Sequence, residues 1–442
     1  EKKHFNITDI DDNSIKQGDI NAITGIGFSP KNDNSNKIGK FGVGFKSVFQ
    51  YTDNPIIYDD YFKFKINNYI IPELIKDDHS FREDGETLFV IPFKTQEFYG
   101  EIKTKLYNMT HPILFLNHLN NIHINIIDDE GNDVLEYSKS ISKEQKFDND
   151  NILFKSYLLQ DAKNSYNIFL FSQLLDIFIN DKNYGKHNIS IGFYYDTKED
   201  KLITDKECGI FCFFPTKETF GTCFISHAPF LLTDNRQNFK PKEEVNNYLL
   251  ENLAVLVNKS IIFLRDYQVS NNKHRLINEN IIEIIPEKII YGHSVDDRCL
   301  FLKKSFNNLI DNENIFLSRK GYYLTKDDLC LFDSPELESL IDKNQLNKLL
   351  KRDHIDFCSF KLNRFLKNTN YLKYKFQSYY AEKFAHDITV EFMKEQNINW
   401  VKKMYKYFFE KGKNTYNKAN TPLRNAPIIK TNNECWIAPY NK

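Results

Sequence analysis

The chain has 442 residues, of which 27% are charged, and its formal net charge is −1. This length allows about two to four domains with sizeable cores. The balanced charge gives no reason to expect a nucleic-acid partner, and no apolar run is long enough to span a bilayer. The seven scattered cysteines lack zinc-type spacing and fit reduced thiols, so we expect a cytoplasmic protein without a membrane partner.

The chain opens with a strand pattern over residues 5–11. Asp9 and Asp11 lie on the same face of this predicted strand. A short helix is predicted from residue 19, and the polar, asparagine-rich segment 28–37 has the composition of a mobile loop.

Three glycines then precede an apolar run with helical spacing. They are Gly39, Gly42 and Gly44, and the run begins at Phe45. Glycine lets a backbone approach a bulky anion, and the N–H groups at a helix start favour negative charge, so the pattern predicts a phosphate-binding loop. The spacing matches neither the P-loop nor the dinucleotide fingerprint. From these residues alone, a glycine-bearing turn before a core helix is the alternative.

The remainder of the first unit, which we place at residues 1–128, alternates strand and helix patterns. Strands are predicted at 55–58, 61–66, 87–92 and 122–127, and a helix at 101–109.

Two further units are predicted. Residues 129–267 carry strand patterns at 189–195, 209–214 and 221–226, and then a long amphipathic helix from about Glu243 to Asp266. Residues 268–442 are mainly helical, with amphipathic segments at 335–350 and 398–411 and a β piece within 427–437.

The string Ile38–Phe49, followed by Thr52–Pro55, resembles the second glycine box of the GHKL (gyrase, heat-shock chaperone, histidine kinase, MutL) ATPase superfamily. It looks more specifically like the sacsin and NO VEIN branch, and the resemblance extends from residue 5 to about 267. It implies an α+β fold class. It also implies that a two-layer α/β sandwich that binds ATP is followed by an α+β transducer-like middle domain and a mainly helical C-terminal region.

The resemblance also implies an adenine site. Asp11 is the first choice and Asp9 the second for the carboxylate that accepts a hydrogen bond from the adenine amino group. The segment lacks the glycine that the family places here, and a solvated acidic turn is the alternative. Thr87 corresponds to the family's threonine, whose hydroxyl shares a water with that carboxylate, although a threonine that begins a strand is also common for packing reasons.

Backbone amides of the second glycine box would wrap the triphosphate. Lys40 and Lys46 could add charge, although exposed lysines beside glycines are usually only solvated. Residues 28–41, which include Lys31, are implied to form a lid that closes over ATP. The implied phosphate-binding residues are Gly39, Lys40, Phe41, Gly42, Val43, Gly44, Phe45 and Lys46.

A second string, Ala228–Arg236, is similar to the sacsin-branch transducer. It also loosely resembles a turn of the ninety-kilodalton heat-shock chaperones, in which an arginine reaches the γ-phosphate. Arg236 is therefore the candidate catalytic residue, because a guanidinium suits the charge that develops during phosphoryl transfer. The alternative is a surface arginine that caps a turn.

The family places the magnesium-binding Asn and the general-base Glu on a helix before the first strand. We expect this helix upstream of residue 1, in a longer protein; a degenerate member that binds weakly or not at all is the alternative. ATP and Mg²⁺ are the implied cofactors, and ATP hydrolysis is expected of the full-length protein.

These features predict an ATP-driven conformational switch of the chaperone kind, acting in protein folding or assembly. The resemblance implies an ATP-dependent homodimer. It does not identify a client protein. Three alternatives stay open: a non-hydrolysing scaffold, a nucleic-acid machine of the MutL or gyrase kind, and a defence or signalling ATPase.

Overall fold

The computed structural model describes most of the chain from residue 45 onward and short pieces before it. The described residues are 10–11, 14–15, 23, 45–129, 131–149, 151–162, 164–233, 236–267, 275–291, 299–411 and 422–439. Helices and strands both occur in quantity and in separate sheets, so the predicted α+β fold class is confirmed. Within the described part of the chain, no helix combines the length and the apolar character needed to cross a membrane.

The described strands are numbered in chain order. They are β1 (Ile10–Asp11), β2 (Ser14–Ile15), β3 (Ile56–Tyr58), β4 (Lys63–Asn67), β5 (Ile71–Leu74), β6 (Leu88–Val90), β7 (Asn121–Asp128), β8 (Gly131–Phe147), β9 (Ile152–Asp161), β10 (Asn164–Ile179), β11 (Lys182–Asp196), β12 (Lys201–Leu202), β13 (Cys208–Cys212), β14 (Phe214–Thr222), β15 (Phe224–His227), β16 (Phe316–Leu317), β17 (Tyr323–Leu324), β18 (Leu329–Phe332), β19 (Asp356–Phe357), β20 (Gln377–Tyr379), β21 (Ile429–Lys430) and β22 (Trp436–Ile437).

The described α-helices are numbered in the same way. They are α1 (Gln96–Tyr107), α2 (Glu244–Asp266), α3 (Ile281–Ile284), α4 (Glu287–Tyr291), α5 (Leu300–Asn312), α6 (Pro335–Leu340), α7 (Lys343–Leu350), α8 (Phe360–Lys367), α9 (Ala381–Asp387), α10 (Val390–Lys394), α11 (Ile398–Lys411) and α12 (Pro422–Asn425), and 3₁₀ helices cover Phe45–Gln50, Lys326–Asp328 and Leu372–Lys375.

A four-stranded antiparallel sheet, in the order β5-β4-β3-β6, carries the region around the predicted phosphate loop. Strand β4 alternates half-buried and buried residues, which is the pattern of a sheet with one covered face. Phe64 and Ile66 point into a small core with Ile57 of β3 and Phe49 of the 3₁₀ helix. The core therefore ties the segment after the glycines to this sheet.

A nine-stranded sheet dominates the middle of the chain, in the order β14-β13-β15-β11-β10-β9-β8-β7 with β12 attached to β11. All its pairings are antiparallel except that of β13 with β15. Helix α2 covers one face, because Leu249, Leu253 and Val257 pack into the same core as Phe171 and Ile191. The segment 111–116, which we call the connector because it leads from α1 towards β7, is buried on the opposite face.

The last region combines helices with a three-stranded parallel sheet in the order β19-β18-β20. Its own core joins Tyr379 and Phe384 to Trp400 and Met404 of α11. Most predicted helical segments are present here, and α11 has the predicted bounds.

Several predicted elements differ in detail from the observed ones. The helix predicted at 101–109 begins earlier, at Gln96, because Thr95 accepts a hydrogen bond from the Phe98 N–H and caps it. The amphipathic segment 335–350 forms two helices, since Asp342 starts the second one with a capping box. The strand predicted at 122–127 is present as β7 and lies at the edge of the nine-stranded sheet.

Candidate functional site

Most of the predicted nucleotide-binding residues lie outside the described residues. Asp11 is described only through its backbone, which pairs with Ser14 in a two-stranded ladder. The placement of the others therefore stays a prediction. The residues outside the described part are Asp9, Gly39, Lys40, Phe41, Gly42, Val43 and Gly44, together with the predicted lid 28–41.

The helix predicted after the glycines is present as a 3₁₀ helix, Phe45–Gln50. Phe49 is buried in the core of the four-stranded sheet, and the Phe45 ring lies 6.0 Å from that of Phe89 on β6. The apolar residues that suggested a helix thus dock it on this sheet. Its first residue follows directly after Gly44 in the chain.

Lys46 is held against the neighbouring hairpin. Its ammonium donates to the carbonyl oxygen of Tyr69 at 2.5 Å and lies 5.5 Å from the ring centroid of Phe49. Burial lowers the pKa of this lysine. No local pattern indicated this contact, which joins the 3₁₀ helix to the β4–β5 turn.

Thr87 is paired with a carboxylate that the sequence interpretation did not include. Its hydroxyl donates to Asp59 Oδ2 at 2.8 Å, and Asp59 Oδ1 accepts the Tyr61 N–H at 3.3 Å. Asp59 is 4% exposed and follows β3, whereas Thr87 lies immediately before β6 on the same sheet. A hydroxyl that donates once keeps its oxygen lone pairs, so Thr87 can still accept a hydrogen bond from a water molecule.

Arg82 organises the loop that leads into Thr87. Its guanidinium binds both carboxylate oxygens of Asp78, at 2.9 and 2.7 Å, and also Asp60 Oδ1 at 2.7 Å. Hydrogen bonds from Arg82 and Lys63 hold the pKa of Asp78 well below its usual range. Asp60 also accepts the Gly85 N–H at 3.0 Å, so two acidic side chains and one arginine fix the loop.

Arg236 lies in a tight loop of the nine-stranded unit. It is exposed, has φ +57°, and its N–H donates to the Thr233 carbonyl at 2.8 Å. The Thr233 N–H in turn donates to Asn238 O at 2.9 Å. This arginine therefore occupies a left-handed backbone position and is bonded to Thr233 through its N–H.

Helix α2 anchors this loop through one buried amide. Asn246 Oδ1 accepts the Leu231 N–H at 2.8 Å, while Asn246 Nδ2 donates to Leu231 O at 2.9 Å and Lys240 O at 3.3 Å. Glu218 of β14 adds a second anchor by accepting the Phe239 N–H at 2.9 Å. Both anchors depend on contacts between distant residues, and no local pattern revealed them.

The structure thus groups the predicted site residues in two places. Phe45, Lys46 and Thr87 belong to the four-stranded sheet, and Arg236 belongs to the loop beside β14 and α2. The four-stranded sheet offers the Thr87 hydroxyl beside a buried carboxylate. The loop beside β14 and α2 offers the exposed guanidinium of Arg236, and hydrogen bonds anchor this loop.

Two similarities to known proteins were found. A family model described as the Sacsin domain matches residues 7–68. The chain is also 28% identical over 263 residues to Protein NO VEIN of Arabidopsis thaliana, and this match covers 52% of the chain but 9% of that relative. The chain therefore spans less than a tenth of the curated relative that it matches. Together the two matches support a relationship to sacsin-like and NO VEIN-like proteins.

Proposed function

We propose that this chain is the nucleotide-binding part of an ATP-driven conformational switch of the sacsin and heat-shock-chaperone kind, acting in protein folding or assembly. One observation carries the proposal: the Sacsin-domain match over residues 7–68 encloses both candidate adenine carboxylates and the whole second glycine box.

In this proposal the backbone amides of residues 39–46 bind the phosphates of ATP. Asp11, or else Asp9, accepts the adenine amino group. Thr87 accepts a bridging water, which is compatible with its donation to Asp59. Mg²⁺ would neutralise phosphate charge, and its protein ligand and the general base would come from the helix expected before residue 1.

Arg236 would stabilise the γ-phosphate when the lid closes and the transducer docks. Its exposure and the hydrogen bonds that anchor its loop support this role, because a catalytic arginine must be both accessible and positioned. Turnover would be slow, since the site is completed only when parts of two units come together.

The test is calorimetric titration of the 442-residue chain with MgATP. We expect saturable binding that is abolished by Gly42→Ala/Gly44→Ala and by Asp11→Asn. Two matched controls should bind normally. Gly100→Ala lies on the exposed face of α1, where an added Cβ meets no atom within 4 Å, and Asp77→Asn changes an exposed aspartate. Unchanged ATP affinity in the glycine-box and Asp11 variants would remove the proposed site.

A further inference from the structure

A cavity of about 270 Å³ lies on the face of the nine-stranded sheet opposite helix α2. Its floor includes a row of cross-strand neighbours, Ser172 of β10, Ser190 of β11 and His227 of β15. Leu114 and Phe115 of the connector line another side. Its size is close to the lower end of ligand-binding pockets, which is about 300 Å³.

His227 is the most unusual group in this cavity. Its side chain is buried, its ring stacks on Phe115 at 4.1 Å, and it meets the edge of Phe213 at 5.3 Å. Among the described residues, neither ring nitrogen has a hydrogen-bond partner. Burial lowers the pKa of this imidazole to about 3, so the ring is neutral at physiological pH and retains one N–H donor and one acceptor nitrogen.

The two serines add further uncharged hydrogen-bonding capacity. Their hydroxyl oxygens are 2.8 Å apart, so one hydroxyl donates to the other and one O–H remains available to another acceptor. The nearby cation, Lys155, is 3.3 Å from Glu144 and is thereby neutralised. An ion would have to leave water for a site where no described lining residue offers it a free opposite charge, which is costly.

The cavity wall includes a strained residue. Phe213 has φ +64°, a left-handed conformation that is a genuine outlier for a bulky side chain. It lies between β13 and β14 and presents its ring to His227. Such strain persists only where the surrounding structure enforces it, and it is concentrated at functional sites.

We propose that this cavity is a binding site for a small uncharged ligand that both donates and accepts hydrogen bonds, of the polyol or sugar class. The hydroxyls of such a ligand would pair with Ser172 and Ser190, and a small shift of the stacked rings would bring His227 into contact. The walls of leucine and aromatic side chains would pack against its carbon atoms.

The position of the cavity places a bound ligand between the connector and the loop that carries Arg236. Phe115 belongs to the connector that follows α1, whereas His227 and Pro229 immediately precede the loop that carries Arg236. A bound ligand therefore contacts both the connector and the start of that loop. An effect of this ligand on ATP turnover would rest on the proposed function, but the binding of the ligand to the cavity does not.

The test uses nuclear magnetic resonance of the chain with ¹⁵N-labelled histidine, without nucleotide. The neutral probes are myo-inositol and glucose, and the charged probes are inorganic phosphate and acetate. His227→Gln identifies the His227 imidazole signals. We expect at least one neutral probe to shift these signals saturably, and neither anion to do so.

Ser190→Ala supplies the matched variant. It removes one hydroxyl without filling the cavity, and the neutral probe should bind about three- to tenfold more weakly, which is the affinity equivalent of one neutral hydrogen bond. Ser140→Ala, at an exposed position on β8, should leave the affinity unchanged. The proposal is overturned if no neutral probe perturbs His227 in the unmodified chain, or if phosphate or acetate does so instead. Because ATP is absent, neither result depends on the nucleotide site.

Discussion

The hydroxyl of Thr87 donates to the carboxylate of Asp59 over 2.8 Å and so joins the start of β6 to the turn between β3 and β4. The two residues are 28 positions apart in sequence. Because the Asp59 side chain is buried, its oxygens depend on donors from the protein in place of water. The pair therefore fixes the edge of the sheet on which the proposed nucleotide site is built.

Thr87→Val should destabilise the first unit, because Asp59 loses a hydrogen bond while the side-chain volume is kept. We expect a loss of about 1–3 kcal/mol in the free energy of unfolding, measured by urea denaturation. Thr87→Ser retains the hydroxyl and should stay within about 1 kcal/mol of the unmodified chain. Equal stability of the valine and serine variants would show that the hydrogen bond contributes little.

Local patterns in the sequence predicted those elements whose formation depends on nearby residues. Helix α11 has the predicted bounds, and α2 differs from its prediction by one residue, because both show long apolar periodicity. Strands β8 to β10 were missed, and of these β8 is mostly exposed and polar. The pair Asn180–Asp181, both with positive φ between β10 and β11, is a hairpin signal that the sequence did contain.

The candidate site was less predictable for a physical reason. The threonine was singled out through a family resemblance, but its observed partner, Asp59, is set by the pairing of β3 with β6. Asn246 likewise reaches a loop whose position depends on the packing of α2 on the sheet. Spacing along the chain does not encode such contacts, because they follow from the tertiary fold.

Glu287 should make stability depend on pH. Its carboxylate accepts N–H groups of Asn370, Tyr371 and Leu372, two of them at 3.0 and 2.8 Å. Burial alone would raise the pKa of Glu287, but these backbone donors outweigh it and the pKa is lowered. The folded state therefore binds this proton less readily than the unfolded state does. The contribution of Glu287 to the free energy of unfolding is complete above the ordinary glutamate pKa of about 4.3, and it is lost as the pH falls through the lower pKa of the folded state.

Glu287→Gln keeps one acceptor oxygen but removes the charge, so we expect it to lower the free energy of unfolding by about 1 kcal/mol at pH 7, the difference between charged and neutral hydrogen bonds. The difference from the unmodified chain should shrink as pH falls below about 4.3. Urea unfolding of both chains at several pH values measures this difference in the free energy of unfolding. Glu251→Gln, an exposed position on α2, serves as the control and should show no such trend. A difference that grows towards acid would contradict the assigned direction of the pKa shift.

An added methyl group should be tolerated less well at Gly192 on β11 than at Gly209 on β13. A Cβ on Gly192 would lie 3.3 Å from Leu170 Cδ1 and 3.4 Å from Ile225 Cβ, while one on Gly209 meets no atom within 4 Å. Overpacking of this kind costs about 1–3 kcal/mol, so Gly192→Ala should lower the unfolding midpoint in urea. Gly209→Ala should be neutral or slightly stabilising, because it restricts the unfolded chain. Equal unfolding midpoints in the two variants would mean that the sheet face covered by the connector can relax around a methyl group.

Asn246 should control the order of the loop that carries Arg236. Its amide makes three hydrogen bonds to Leu231 and Lys240, and it is 4% exposed. Asn246→Ala removes all three and leaves buried backbone groups unpaired, at a cost of about 1–3 kcal/mol. Hydrogen exchange at the Thr233 and Arg236 amides should therefore accelerate.

The matched control for this prediction is Asn252→Ala on the same helix. The Asn252 amide donates to the carbonyl of Tyr248 at 2.8 Å, one turn earlier in the same helix, so its loss should not affect the loop. If the proposed switch is correct, Asn246→Ala in the full-length protein should also reduce ATP turnover and leave MgATP affinity unchanged, because the residue positions the arginine without contacting nucleotide. Unaltered exchange at Thr233 and Arg236 in Asn246→Ala would show that β14 and the Glu218 contact hold the loop without help from α2.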